Sequence, residues 1–177
     1  GYYGTIGSAN FLITKTTPLL ESNEFSEGEK MEMRRYMGEA MCIRALCYYT
    51  LTDRFCEAYT RENADADAGG LPLVTSYDPT ADNSQYPGRS TLNETYDLIL
   101  ADLEQALTYI KEHEDKEGEP AAMSPYITSD VVKALYARVA LAMRDYQTAL
   151  KFSEEVINSR RYAIEPITSL DWLWEYD

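Results

Sequence analysis

Histidine is almost missing from this chain, which has one, at position 113. Tryptophan falls to two residues, cysteine to three and phenylalanine to four. Each shortage removes a class of chemistry. A single histidine cannot supply the paired imidazoles of an H-E-x-x-H metal site, and His113 lies in Lys111-Glu112-His113-Glu114-Asp115, the setting of a surface residue. Cys42, Cys47 and Cys56 are spaced so that no two stack on one helix face. A disulfide within that helix is disfavoured, no C-x-x-C pair occurs, and the expectation is three small hydrophobes. Basic residues are scarce as well: 16 Lys and Arg against 30 Asp and Glu give a net charge of −14. Such a field repels phosphate backbones and anionic lipid, which argues against nucleic-acid binding, and its common use is solubility.

Other absences bear on catalysis. The sequence has no nucleophile elbow and no phosphate-cradling glycine loop. Asp65-x-Asp67 precedes two glycines, yet the remaining positions of a calcium loop are missing. Acid pairs abound in so acidic a chain, and none stands out as a glycosidase pair. The expectation is a protein without catalytic residues, cofactor or metal. No apolar run reaches membrane-spanning length, and no signal peptide opens the chain. It begins on Gly1 and closes on the apolar-aromatic run Leu170–Tyr176, which reads as a piece of a longer protein.

Helix periodicity dominates what is present. From Ala40 to Leu51 every residue is apolar, aromatic or small except Arg44. A helix apolar nearly all round belongs inside, with partners on several sides. A guanidinium there must be paired, and Asp102 and Glu39 are the candidate partners, which makes Glu39, Arg44 and Asp102 expected structural residues. Ser26 and Glu29 form a capping box that starts this helix, whose stripe is Met33, Met37, Ala40, Cys47, Leu51 and Phe55. Before it, apolar residues at 2, 6, 9 and 13 predict a helix over 2–22 that Pro18 ends or kinks. A second capping box, Thr91 with Glu94, opens an amphipathic helix over 92–113. Thr128 or Ser129 starts an alanine-rich fourth helix, Asp145 marks a turn, and a fifth runs from Tyr146 to near Arg160.

The helices repeat. Shifting by 50 residues lays Tyr96, Ile99 and Leu100 on Tyr146, Ala149 and Leu150. Shifting by 89 lays Arg44-Ala45-Leu46 on Lys133-Ala134-Leu135. Two helix pairs of tetratricopeptide type result, the first interrupted by residues 61–90. The expected architecture is all-α, about five main helices in one domain over 1–177, with a long insertion loop.

That loop is punctuated by Gly69, Gly70, Pro72, Pro79, Pro87 and Gly88, and Leu71–Val74 is placed to pin its middle to the core. Long loops inside compact domains are often functional. Of the chain's 15 tyrosines, Tyr77 and Tyr86 fall here, with Asp78, Asn83, Gln85 and Arg89 near them. Flat aromatic faces with amides and charges beside them suit a sugar site, so these six are the candidate ligand-binding residues. The same composition also makes ordinary turns.

Several motifs now converge. Gly38-Glu39-Ala40, followed by Ile43-Arg44-Ala45-Leu46-Cys47-Tyr48-Tyr49 and Leu51, resembles the E-A-x-x-x-R-A-x-x-Y signature of SusD/RagB-like proteins. Gly70-Leu71-Pro72-Leu73-Val74 resembles that family's G-x-P-L-V. Tyr3, Ile6, Ala9 and Asn10 resemble its opening Y-x-x-I-x-x-A-N. Lys133–Val139, Asp145-Tyr146, Ala149 and Val156-Ile157 resemble its tetratricopeptide-like pair. The resemblance implies a surface-exposed outer-membrane lipoprotein that binds an oligosaccharide or other nutrient and lids a SusC-like TonB-dependent transporter. It also implies that the lipid-anchor region and the C-terminal half of the family lie outside this chain. The alternative function is a helical scaffold that binds only protein.

Overall fold

The computed structural model describes residues 1–163 except positions 81, 119 and 122, so the run Leu170–Tyr176 lies outside the described residues. Five helices form: α1 (Tyr2–Glu21), α2 (Glu27–Phe55), α3 (Leu92–Glu117), α4 (Ser129–Ala142) and α5 (Tyr146–Asn158). The described residues hold no β-strand beyond one antiparallel bridge, Pro72 with Arg89. The all-helical class read from periodicity stands.

Local chemistry sets the helix starts. Ser26 Oγ accepts from Glu29 N while Ser26 N donates to the Glu29 carboxylate, and Thr91 does the same with Glu94. Both boxes satisfy backbone donors that a helix start leaves open. Thr128 caps α4 and Asp145 caps α5 through single bonds. Two boundaries differ from expectation. α1 continues past Pro18 to Glu21, because a proline so near the end forfeits one intrahelical bond without a long helix beyond it to disrupt. α3 runs to Glu117 rather than 113, its charged last turn stabilised by Lys111 bonding Asp115 at 2.6 Å.

α1 packs on α2, α2 on α3, α3 on α4 and α4 on α5. One core gathers Ile6, Ala45, Tyr48, Ile99, Leu103, Ile110, Val132 and Val139. α2 and α3 approach closely at Gly38: a Cβ there would lie 3.2 Å from Ala106 O and 3.1 Å from Ile110 Cγ1. α4 and α5 are joined by Tyr136 stacked on Phe152 at 4.5 Å and by Lys133 paired with Glu155 at 3.2 Å. The two repeat pairs are therefore α2 with α3, split by the insertion, and α4 with α5, joined by a three-residue turn.

α2 is central yet not enclosed. Ile43 and Leu46 are 37% and 44% exposed, and Phe55, expected on the buried stripe, is 63% exposed. Apolar character at these positions outruns the helices available to cover them. His113 is drawn in from the surface, its Nε2 2.7 Å from Glu32 Oε1 of α2. Cys42 and Cys47 are buried as expected, while Cys56 is half-buried. Burial pushes the Cys42 thiol up to about 12, which leaves it inert.

Candidate ligand-binding site

Arg44 organises the region from which the insertion springs. Its Nε and Nη2 donate to the two Asp102 oxygens at 2.7 and 2.6 Å, a bidentate pair across α2 and α3. Nη1 donates to Asn10 Oδ1 of α1 at 2.6 Å and to Thr75 O of the insertion at 3.2 Å. Burial pushes the Asp102 carboxyl up, and the guanidinium pulls it back down. Both side chains are 6% exposed. The other expected partner, Glu39, takes Arg35 instead, at 2.6 Å. Arg35 also binds Glu32 and lies over the rings of Tyr36 and Tyr126.

The insertion's first limb is laid down on this node. Asn10 Nδ2 donates to Val74 O at 2.8 Å, and Tyr3 Oη donates to Pro72 O at 2.8 Å. Tyr48 Oη accepts from Val74 N at 2.7 Å and donates to Val74 O at 3.1 Å. Leu71 is buried in the core, and its N–H donates to Thr95 Oγ1. Gly70 passes so close to α3 that a Cβ would lie 2.1 Å from Thr91 O, which only glycine permits. Burial pushes the Tyr48 hydroxyl up to about 12.

The candidate residues begin with Tyr77 at the end of this limb and continue along the second. Tyr77 N donates to Thr14 Oγ1, and the Tyr77 ring meets Phe11 of α1 edge to face at 5.0 Å. Both rings stay exposed, at 40% and 47%. Asp78 is exposed. Asn83 and Gln85 lie in a short 3-10 turn, where Asp82 accepts from Ser84 N, Ser84 Oγ and Gln85 Nε2. The Tyr86 hydroxyl donates to Thr80 O, with the ring 59% exposed. Arg89 turns back to the end of α2, where Nη2 donates to Phe55 O at 3.2 Å and lies 3.7 Å from Cys56 Sγ. A cation at a helix C-terminus is favourably placed. Asp78, Gln85 and Tyr86 are exposed, with Tyr77 at the root of the stretch on α1 and Arg89 holding its far end.

Two participants escaped the sequence reading. Asn10 was legible as the end of the Y-x-x-I-x-x-A-N pattern and as a polar residue on an apolar helix face, but not as a partner of Arg44 and of the insertion. Phe11 carried no signal separating it from its apolar neighbours. Among the described residues no cluster of three His, Cys, Asp or Glu could hold a metal, and no helix is long and apolar enough to cross a membrane.

Comparison with known proteins places this architecture. A SusD superfamily structure from Bacteroides thetaiotaomicron matches with TM-score 0.75 and 29% identity, covering 96% of this chain and 34% of its own. Another from Bacteroides fragilis matches with TM-score 0.69 and 26% identity, covering 93% and 34%. A SusD-like protein of Formosa agariphila is 26% identical over 131 residues, 73% of this chain and 22% of the relative. The chain thus spans about a third of the solved relatives and less of the curated one. With residues 1–141 matching the SusD-like model described as starch-binding and associating with the outer membrane, the chain belongs to the SusD-like family.

Proposed function

We propose that this chain is one helical domain of a non-catalytic, surface-exposed outer-membrane lipoprotein that captures an oligosaccharide or similar nutrient for a SusC-like TonB-dependent transporter. Membership of a family described as starch-binding supports a glycan ligand. The observation that carries the local reading is the Tyr77 ring, held edge-on by Phe11 with its other surface open. Aromatic faces fixed in this way stack on sugar rings at little entropic cost. Asp78, Gln85 and Tyr86, exposed in the same loop, supply further hydrogen-bonding capacity. Arg89 contributes by holding the limb against α2.

Affinity electrophoresis in gels carrying starch-type glucans tests this reading. Retardation of the chain, weakened by Tyr77→Ala and Tyr86→Ala, is the expected result. Retardation equal in both variants and the parent places the ligand elsewhere. Release of reducing sugar would overturn the non-catalytic assignment.

A further inference from the structure

The first turn of the insertion and the α4–α5 turn face each other across a cleft of 520 Å³, within the range of about 300–1,000 Å³ typical of small-molecule sites. One wall is residues 59–62 and the other is residues 143–145. Both walls are tied to the fold by hydrogen bonds. Thr60 and Asn63 exchange bonds, with Thr60 N donating to Asn63 Oδ1 at 2.9 Å, and Asn63 Nδ2 donating to Ala58 O at 2.9 Å. The Tyr59 hydroxyl donates to Asn93 Oδ1 at 2.8 Å, and its ring is fixed edge-on against Tyr96. On the opposite wall Arg144 has φ 63°, in the left-handed region, while Asp145 N reaches back to Ala140 O at 2.9 Å. Glycine usually fills that position after a helix. An arginine there accepts a conformational cost that glycine would avoid, and its guanidinium lines the cleft.

Arg61 and Arg144 bring two guanidiniums to one cleft in a chain of net charge −14. Among the described residues neither side chain forms an ion pair within 4.0 Å or a hydrogen bond. Two acids share the cleft. Asp145 is committed to capping α5 through Thr148 N at 3.1 Å. Glu62 is exposed; its carboxyl is lowered first by its own backbone N–H and the Thr60 side chain, then by the fields of Arg144 and Arg61. Arg61 and Arg144 thus line one cleft with a single solvent-exposed carboxylate not engaged in helix capping, Glu62.

We propose that this cleft binds the anionic group of an acidic sugar, a uronate carboxylate or a sulfate ester, between Arg61 and Arg144. The guanidinium fork matches a planar carboxylate and also accepts a sulfate. Thr60 and the fixed Tyr59 ring offer a hydroxyl and an aromatic edge to the rest of the sugar. The distant acids of the chain are screened at physiological salt beyond about 8 Å, whereas direct contacts are not. Glu62 competes with the ligand for the same guanidiniums, which gives the site an unusual signature: neutralising an acid strengthens binding.

The proposal rests on the glycan-capture reading and extends it to a second surface. Titration calorimetry of the 177-residue chain with a galacturonate trisaccharide, a sulfated galactose trisaccharide and neutral maltotriose tests it. The two acidic arms distinguish carboxylate from sulfate. Arg61→Gln and Arg144→Gln should each weaken acidic-sugar binding about ten- to a hundredfold, the scale of a lost charged hydrogen bond. Glu62→Gln should strengthen it. Arg144→Gly keeps the turn in its preferred residue, so loss of binding there with an unchanged circular dichroism melt separates site loss from misfolding. Binding of maltotriose alone, unaffected by these changes, overturns the acidic site and leaves glycan capture standing. Absence of binding to all three sugars overturns both.

Discussion

The insertion has two limbs of opposite attachment, the first largely apolar and the second largely polar. Residues 70–77 are held by groups far away in sequence: Tyr3, Asn10 and Thr14 of α1, Arg44 and Tyr48 of α2, and Thr95 of α3. The described residues of the stretch that follows are held by one another, through Asp82 with Ser84 and Gln85, and Tyr86 with Thr80. The first limb lacks regular structure because side chains supply the partners that a neighbouring strand otherwise would. The second exposes its side chains because its backbone is satisfied locally. Within one loop, attachment to the helices and exposure to solvent are therefore largely divided between the limbs, with Tyr77 at the junction.

Breaking the first limb at its root should have the largest effect. Arg44→Met leaves Asp102 buried without its partner, and a loss of about 3–5 kcal/mol in urea denaturation is expected. Arg44→Met combined with Asp102→Leu removes both charges and should recover most of that loss. Gly70→Ala drives a methyl into Thr91 O and Thr95 Oγ1, for a cost of about 1–3 kcal/mol.

Alkaline titration sharpens the contrast further. Burial raises Cys42 from 9.0, and Tyr48 and Tyr96 from 10.0, each to about 12. A raised folded value means the folded state holds its proton more tightly than the unfolded chain does. The stability these groups contribute is fully present below pH 9.0 and is lost as pH rises toward about 12. Denaturant midpoints measured across this range should fall, with tyrosinate absorbance of two residues appearing only as the chain unfolds. Tyr48→Phe should make the fall shallower. The smallest effect belongs to the second limb: Tyr86→Ala should change stability by no more than about 0.5 kcal/mol, whatever it does to ligand binding.

Much of the scaffold was legible because its signals are local. Both capping boxes are short side-chain patterns, and each marks its helix start to the residue. That Arg44 needs a buried acid was legible because a lone charge in an apolar helix demands one, and of the two candidates the structure selects Asp102 while Glu39 takes Arg35. Arg44's other contacts were not legible. Thr75 contributes a carbonyl oxygen, which every residue possesses, so its identity carries no sequence signal. The exposure of Ile43 and Leu46 was equally hidden, since apolar character records a preference for burial and not the number of covering elements. Of the candidate site, composition marked a polar, turn-rich stretch with two tyrosines. Its Phe11 contact depends on how α1 crosses the loop, which periodicity does not specify.

Tyr48 exchanges both hydrogen bonds with Val74, the pattern that two facing residues of an antiparallel ladder share. Here one partner is a phenol. The Val74 amide proton is consequently shielded by a side chain on another element, and it meets solvent only when the first limb lifts from α2. Its exchange with deuterated water therefore clocks a single event, the lifting of the loop. Set beside amides in the middle of α2 and α3, which await wider opening, it measures how far the loop's motion is coupled to the helices beneath it.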